Sequence, residues 1–234
     1  MVMVKQLPYT HSPMTILEAQ QVSKSYHIGD RKLDVLQDVS LTIAAGEFVA
    51  IIGSSGSGKS TLLSLMSGLD HPTNGRICLE GQDITDRTED ELAPVRNETI
   101  GFVFQSFHLV PSLSAIENIM FPAEIRADKL ALDKAETLLR RVDLLDRADN
   151  FPHQLSGGEK QRVAICRALI NDPKIVFADE PTGNLDTGNG QAILDLLLDL
   201  RRERNTTLVL VTHDAAIAAL ADRIIQLQDG RVVA

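Results

Sequence analysis

The chain has 234 residues, 44% of them hydrophobic, which is enough for one large domain or for a core carrying an inserted lobe. Its formal charge of −9 and sequence pI near 5.1 leave no global basic face, which weighs against a role dominated by non-specific grip on nucleic acid. No stretch approaches the roughly 18 apolar residues that span a bilayer, and Met1 to Pro13 holds no apolar signal core.

The chain by itself is therefore expected in the cytosol, meeting a membrane only through a partner. Residues 1–13, with Pro8 and Pro13 and little pattern, read as a flexible lead-in to a domain over 14–234. From Thr15 come β-type runs, Ile16 to Ala19 and Leu33 to Ile43, broken by polar turn residues and suggesting an antiparallel layer. A buried-looking run, Glu47 to Ile52, leads through a glycine-rich turn into an apolar helix, Lys59 to Gly68. Further β runs, Thr99 to Phe104, Ile175 to Asp179 and Leu208 to Thr212, alternate with helical pattern and imply a parallel sheet of an α/β fold.

Between about 106 and 170 the pattern is helical. Ser114 and Glu117 have capping-box spacing, and Leu132, Ala135, Leu138, Leu139 and Val142 recur at helical intervals, which reads as a helical lobe inserted in the sheet domain. The run from Ile193 to Leu200 reads as a core helix rather than a membrane-binding stripe, because Asp195 and Asp199 interrupt it. Arg201, Arg202 and Arg204 then read as its solvated end. Asp229-Gly230 between Arg223 to Gln228 and Arg231 to Ala234 signals a hairpin. Cys78 and Cys166 stand far apart among apolar neighbours and read as buried free thiols of a reducing compartment.

The first chemical motif is Gly53-Ser54-Ser55-Gly56-Ser57-Gly58-Lys59-Ser60, set directly after a strand and before a helix. Its glycines let backbone N–H groups turn toward phosphates, and the helix N-terminus adds its dipole. Lys59 is suited to bridge the outer phosphates, Ser60 to ligate Mg²⁺ and Thr61 to donate to an inner phosphate. A Ser/Gly linker would share the composition, but linkers rarely open an apolar helix.

A second element, Lys174 to Glu180, runs apolar residues into two carboxylates at a strand end. Ligands of doubly wound folds sit beyond the carboxyl ends of strands, so Asp179 is suited to hold Mg²⁺ through water and Glu180 to polarise an attacking water. Neighbouring strand residues face opposite ways, so both can serve only if the strand ends there. A capping pair opening a loop at Pro181 explains the same residues equally well.

The third element is Leu155-Ser156-Gly157-Gly158-Glu159-Lys160-Gln161-Arg162 before a helical run. Ser156, Gly157 and Gly158 would form a second anion site of hydroxyl, bare N–H and helix dipole. A glycine turn with a capping serine accounts for the local shape but not for this order of motifs in one chain.

Here the chain resembles the ABC ATPases over Thr15 to Val233. The resemblance implies an ABC-type P-loop NTPase with a RecA-like parallel-sheet core, an N-terminal antiparallel β layer and an inserted helical subdomain. It implies a homodimer closed around two molecules of ATP with Mg²⁺, each nucleotide held between Lys59's loop on one subunit and Ser156's loop on the other. It further implies that Tyr26 stacks on adenine, that Gln105 senses Mg²⁺ and the attacking water, and that His213 bonds the γ-phosphate and orients Glu180. Taken alone, these three residues would read as an edge-strand aromatic, a loop polar group and a cap. Gly183-Asn184-Leu185-Asp186 corresponds to the loop that reaches across the dimer.

The Pro-Thr-Gly-Asn-Leu-Asp form, with Gly101 to Pro111 and Ser114 to Asn118, resembles the branch of macrolide-efflux and lipoprotein-release ATPases, and within it YbbA-like members. That branch implies integral membrane permease partners, a peripheral position on the inner face of the cell membrane and no nucleic-acid partner. Phe107, His108 and Leu109 are then expected to border the groove that receives the permease, with a core role for Phe107 as the alternative. Two rival readings are a soluble ABC ATPase of DNA repair or translation, and an ATP-gated dimer signalling through a membrane partner to envelope enzymes.

Overall fold

The computed structural model describes residues 14–29, 31–185 and 187–233. The lead-in assigned to residues 1–13 and Asp186 of the cross-dimer loop lie outside them. The chain opens with β1 (Thr15–Ile28) and β2 (Arg31–Ala44), then β3 (Phe48–Ile52), α1 (Lys59–Met66), β4 (Asn74–Leu79), β5 (Gln82–Asp83), α2 (Glu89–Thr99) and β6 (Ile100–Phe104). It continues with α3 (Ala115–Ile125), α4 (Ala131–Arg141), α5 (Gly157–Leu169), β7 (Ile175–Asp179), α6 (Thr187–Arg204) and β8 (Thr207–Val211). It closes with α7 (Ala215–Ala218), β9 (Arg223–Gln228) and β10 (Arg231–Val233).

Among the described residues there are two sheets. The first, ordered β2-β1-β4-β5, is antiparallel throughout. The second runs β10-β9-β3-β8-β7-β6, with β9, β3, β8, β7 and β6 parallel and β10 an antiparallel edge. Strands buried on both faces read as unbroken apolar runs, and the period of two shows only in which side each residue feeds. Val49, Ile51, Ile175, Phe177, Val209 and Val211 pack toward α1 and the antiparallel layer. Phe48, Val176, Ala178, Leu208 and Leu210 pack toward α5 and α6.

A third apolar cluster joins α3, α4 and α5 through Ile119, Ala135, Leu138, Leu139, Val163 and Cys166. The Ser114–Glu117 capping box forms, with the Ser114 N–H donating to Glu117 Oε2 at 2.7 Å. Leu132 departs from its expected row: it is exposed on α4, while Ala135, Leu138 and Leu139 are buried. The arginines after Leu200 are also more engaged than a solvated end would be. Arg201 donates to Asp222 at 2.9 Å, and Arg204 donates to the Leu169 carbonyl at 3.0 Å and pairs with Asp172. The closing hairpin forms with Asp229 and Gly230 both at positive φ, 48° and 76°, as a type I′ turn requires.

The run from Ile16 to Ala19 is only the start of a 14-residue strand. Register shifts between Ala19 and Ser25, with Gln21 at φ 49°, break the alternation that would have betrayed the rest. β4, β5 and α2 were not expected. α2 offers Leu92 as its one buried apolar side chain, so it has no apolar stripe, and its start is marked by the Thr88–Glu91 capping box alone.

Cys78 and Cys166 are free and buried. Burial raises the Cys78 thiol and pushes that of Cys166 up to about 12. Because the thiolate is the reactive form, neither thiol is expected to react with an aromatic disulfide reagent at pH 8 while the protein is folded. Both should react at once in denaturant, and absorbance of the released thiol measures it.

Candidate active site

The parallel sheet brings one row of residues into register: Phe104 beside Asp179, Asp179 beside Val211, and Val211 beside Ile51. One or two residues past this row stand Gln105, Glu180, His213 and Gly53. Residues separated by up to 160 positions therefore meet because four strands end at one level. Together with Val35, Ser55, Gly56, Gly58, Lys59, Ser60, Thr61 and Asp179, they line a cleft of about 660 Å³.

The loop from Gly53 to Gly58 wraps the start of α1. Gly58 is the N-cap at φ 100°, a conformation that favours glycine, and it makes no side-chain cap, so the first N–H groups of α1 are left for a ligand. Lys59 is 8% exposed, and its ammonium donates to the carbonyls of Gly53 at 3.0 Å and Ser54 at 2.9 Å. It is folded into the loop on the wall of the cleft. The Ser57 hydroxyl is buried with no partner.

Ser60 and Asp179 line the same cleft, so the phosphate loop and the end of β7 meet there. Burial raises the pKa of the Asp179 carboxyl, with the Glu180 charge adding to it, while Ser60 and Lys59 act the other way. A desolvated carboxylate beside a hydroxyl and the Gln105 amide is an all-oxygen donor set on the edge of a phosphate loop, and it suits a hard cation such as Mg²⁺.

The strand β7 ends at Asp179, and Glu180 takes a left-handed backbone at φ 45° while its N–H donates to the Val211 carbonyl at 3.0 Å. The left-handed residue is strained for a non-glycine and turns the chain out of the strand. That resolves the alternation problem, because Asp179 and Glu180 both line the cleft. His213 Nδ1 lies 3.3 Å from Glu180 Oε2, with the Glu180 side chain 24% exposed and that of His213 70% exposed. The imidazole is the outer member of the pair.

Gln105 is tied to the loop after Glu180. Its side-chain amide reaches Asn184 Oδ1 at 3.4 Å, and Asn184 Nδ2 donates to the Gln105 carbonyl at 2.9 Å. Gly183 makes room for this: a Cβ there would stand 2.8 Å from Gln105 Nε2. Val35 lines the cleft without having been expected there, since its type carries no chemical signal.

Tyr26 does not line the cleft, although Thr61, which does, is among the side chains near its hydroxyl. Ser156, Gly157 and Gly158 do not line it either. Ser156 caps α5, accepting from the Glu159 N–H at 3.3 Å while Glu159 Oε2 accepts from its own N–H at 2.7 Å. The bland reading of that serine is thus correct locally, and one chain leaves Ser156 apart from Lys59.

Phe107 and His108 are both left-handed, at φ 62° and 47°, and Arg167 donates to their carbonyls at 2.8 and 2.6 Å. The resulting reversal splits the three residues expected to border one groove. His108 lines a groove of about 750 Å³ with Phe104, Phe121, Ile125 and Arg167. Phe107 turns instead toward Gly157, and Leu109 packs on the helical cluster.

Comparison with known proteins bears on this geometry. The ABC transporter family model matches residues 36–183. The lipoprotein-releasing system ATP-binding protein LolD of Shewanella oneidensis is 48% identical over 217 residues, 92% of this chain and 94% of that protein. The macrolide export ATP-binding/permease protein MacB of Syntrophobacter fumaroxidans is 46% identical over 221 residues, and the chain spans 31% of its length. The ATP-binding cassette MJ0796, solved as a dimer in a post-hydrolysis state bound to ADP and Pi, superposes with a TM-score of 0.87 at 42% identity. That match covers 93% of this chain and 97% of the solved one. By the family match, by identity along nearly its whole length and by its fold, the chain belongs to the ABC transporter family, in the branch of the MacB and LolD ATP-binding proteins.

Proposed function

We propose that the chain is the ATP-hydrolysing subunit of a membrane transport complex, working as a homodimer that closes around two ATP molecules. The observation that carries this reading is the separation within one chain of two anion half-sites: the Lys59 cleft, and Ser156 to Gly158 outside it. A second copy supplies the missing half of each.

In this reading the N–H groups of the loop from Gly53 to Gly58 and the Lys59 ammonium bind the phosphates, and Thr61 donates to an inner one. Mg²⁺, when bound, would offset phosphate charge, and Ser60, Gln105 and Asp179 are the residues that would hold it. Glu180 accepts a proton from the attacking water, and His213 keeps that carboxylate aimed and donates toward the γ-phosphate. Ser156 and Gly158 of the partner subunit's loop lose their contact when that phosphate leaves. Moving a dimer from mostly open to mostly closed takes on the order of 5.5 kcal/mol of differential binding, within reach of charge-assisted bonds to two triphosphates.

The apolar groove beside His108 receives a segment of an integral membrane permease, because its wall includes Arg167, which anchors the carbonyls of residues 107 and 108, two and three positions beyond Gln105. Movement there reaches the cleft through residues 104–108. Among the described residues no helix is long and apolar enough to cross a membrane. The subunit then sits on the inner face of the cell membrane.

Tagged Glu180→Gln protein purified from native membranes with Mg-ATP, beside Lys59→Ala, tests this reading. An integral membrane protein with a large extracytoplasmic domain is expected with the first variant and depleted with the second. Recovery of only soluble or nucleic-acid partners would overturn the transport reading.

A further inference from the structure

Resting on the nucleotide reading above, we infer that Asp70 and Lys24 are positioning residues for Tyr26, locking its ring so that only its outer face can take the base. Asp70 lies just beyond α1, where its N–H and that of Leu69 donate to the Ser64 carbonyl at 3.3 and 2.9 Å. Its carboxylate divides between two partners from β1. Oδ2 accepts from the Tyr26 hydroxyl at 2.8 Å, and Oδ1 accepts from the Lys24 ammonium at 2.7 Å and from the His71 N–H at 2.7 Å.

Lys24 also donates to the His71 carbonyl at 2.6 Å, and its ammonium stands over the Tyr26 ring, 4.8 Å from the centroid. Lys24 is 9% exposed and Tyr26 37%, so the cation occupies the inner face of the ring and solvent meets the other. An ammonium held by a carboxylate and a carbonyl cannot swing away cheaply, and a base can stack only on the free face. The same Asp70 fastens the ring to α1, whose first turn carries Lys59, Ser60 and Thr61. The ring is thereby set at a constant distance from the phosphate loop, and a nucleotide meets both ends of its site already spaced.

Calorimetric titration of the full chain with magnesium-free ATP and with inorganic tripolyphosphate separates the base end from the phosphate end. Asp70→Ala is expected to weaken ATP about 5- to 10-fold and to leave tripolyphosphate within about 2-fold. In a Tyr26→Ala background the same substitution should change ATP affinity by less than about 2-fold, because the ring it positions is gone. Lys24→Met, which keeps the Tyr26–Asp70 bond and removes the cation, should cost about 3-fold on ATP alone and stands in if Asp70→Ala does not fold.

Equal losses for ATP and tripolyphosphate would mean that the pair serves α1 and not the ring, and an unchanged ATP affinity would also overturn the inference. Wild-type protein that binds neither ligand would instead refute the nucleotide reading itself.

Discussion

Glu180→Gln is expected to slow ATP hydrolysis by about 10²- to 10⁴-fold while leaving nucleotide binding intact. The amide keeps the size of the carboxylate and can still occupy the left-handed turn at φ 45°, but it cannot accept the proton of an attacking water. The substitution removes a step and not a fold element, because the Glu180 N–H to Val211 carbonyl bond is made by the backbone. With hydrolysis blocked and both half-sites intact, the closed dimer should accumulate in ATP. Phosphate release measures the first effect, and light scattering after size-exclusion with Mg-ATP measures the second. Normal turnover in this variant would remove Glu180 from its assigned role. Wild-type turnover that does not change with the loss of His213, 3.3 Å away, would remove the orienting role of that residue separately.

Lys59→Ala should act at the other end of the same cleft, weakening ATP at least about 30-fold by taking away charge-assisted bonds to the outer phosphates. The ammonium is 8% exposed and donates to two loop carbonyls, so it is positioned before a ligand arrives and loses little side-chain freedom on binding. The loop's shape is set by its glycines and by the start of α1, so the thermal midpoint of the ligand-free variant should stay within a few degrees of wild type. ATP should raise that midpoint in the wild type and not in the variant. Equal protection of both proteins by ATP would place the phosphates elsewhere.

The chemistry of the site was legible in the order of residues wherever the backbone itself does the work. A phosphate loop is a local object: glycines, a lysine and a serine between a strand and a helix carry their meaning without knowledge of the rest of the chain. The same holds for the capping boxes at Ser114 and Ser156 and for the Asp229-Gly230 turn, each made within four residues. The continuous apolar strands were equally plain, since burial on both faces leaves no polar gaps.

What the order of residues left open was settled by long-range packing. Whether Asp179 and Glu180 could share one cleft depended on where β7 stops, and pairing with β6 and β8 ends it at Asp179. The bulged second half of β1, the polar α2 and the splitting of Phe107, His108 and Leu109 were hidden for a common reason. In each case the conformation is imposed by partners distant in sequence, such as Arg167 donating to residues 107 and 108 from α5. The pairing of Tyr26 with Asp70, and of Gln105 with Asn184, joins residues 44 and 79 positions apart. By itself, then, the sequence determined which groups are proposed to bind phosphate and carry the chemistry, because their signal lies in local backbone geometry. The tertiary structure alone decided which of them share a cleft, which stand apart and what holds each in place, because hydrogen bonds and strand register between distant segments leave no periodic trace in the chain.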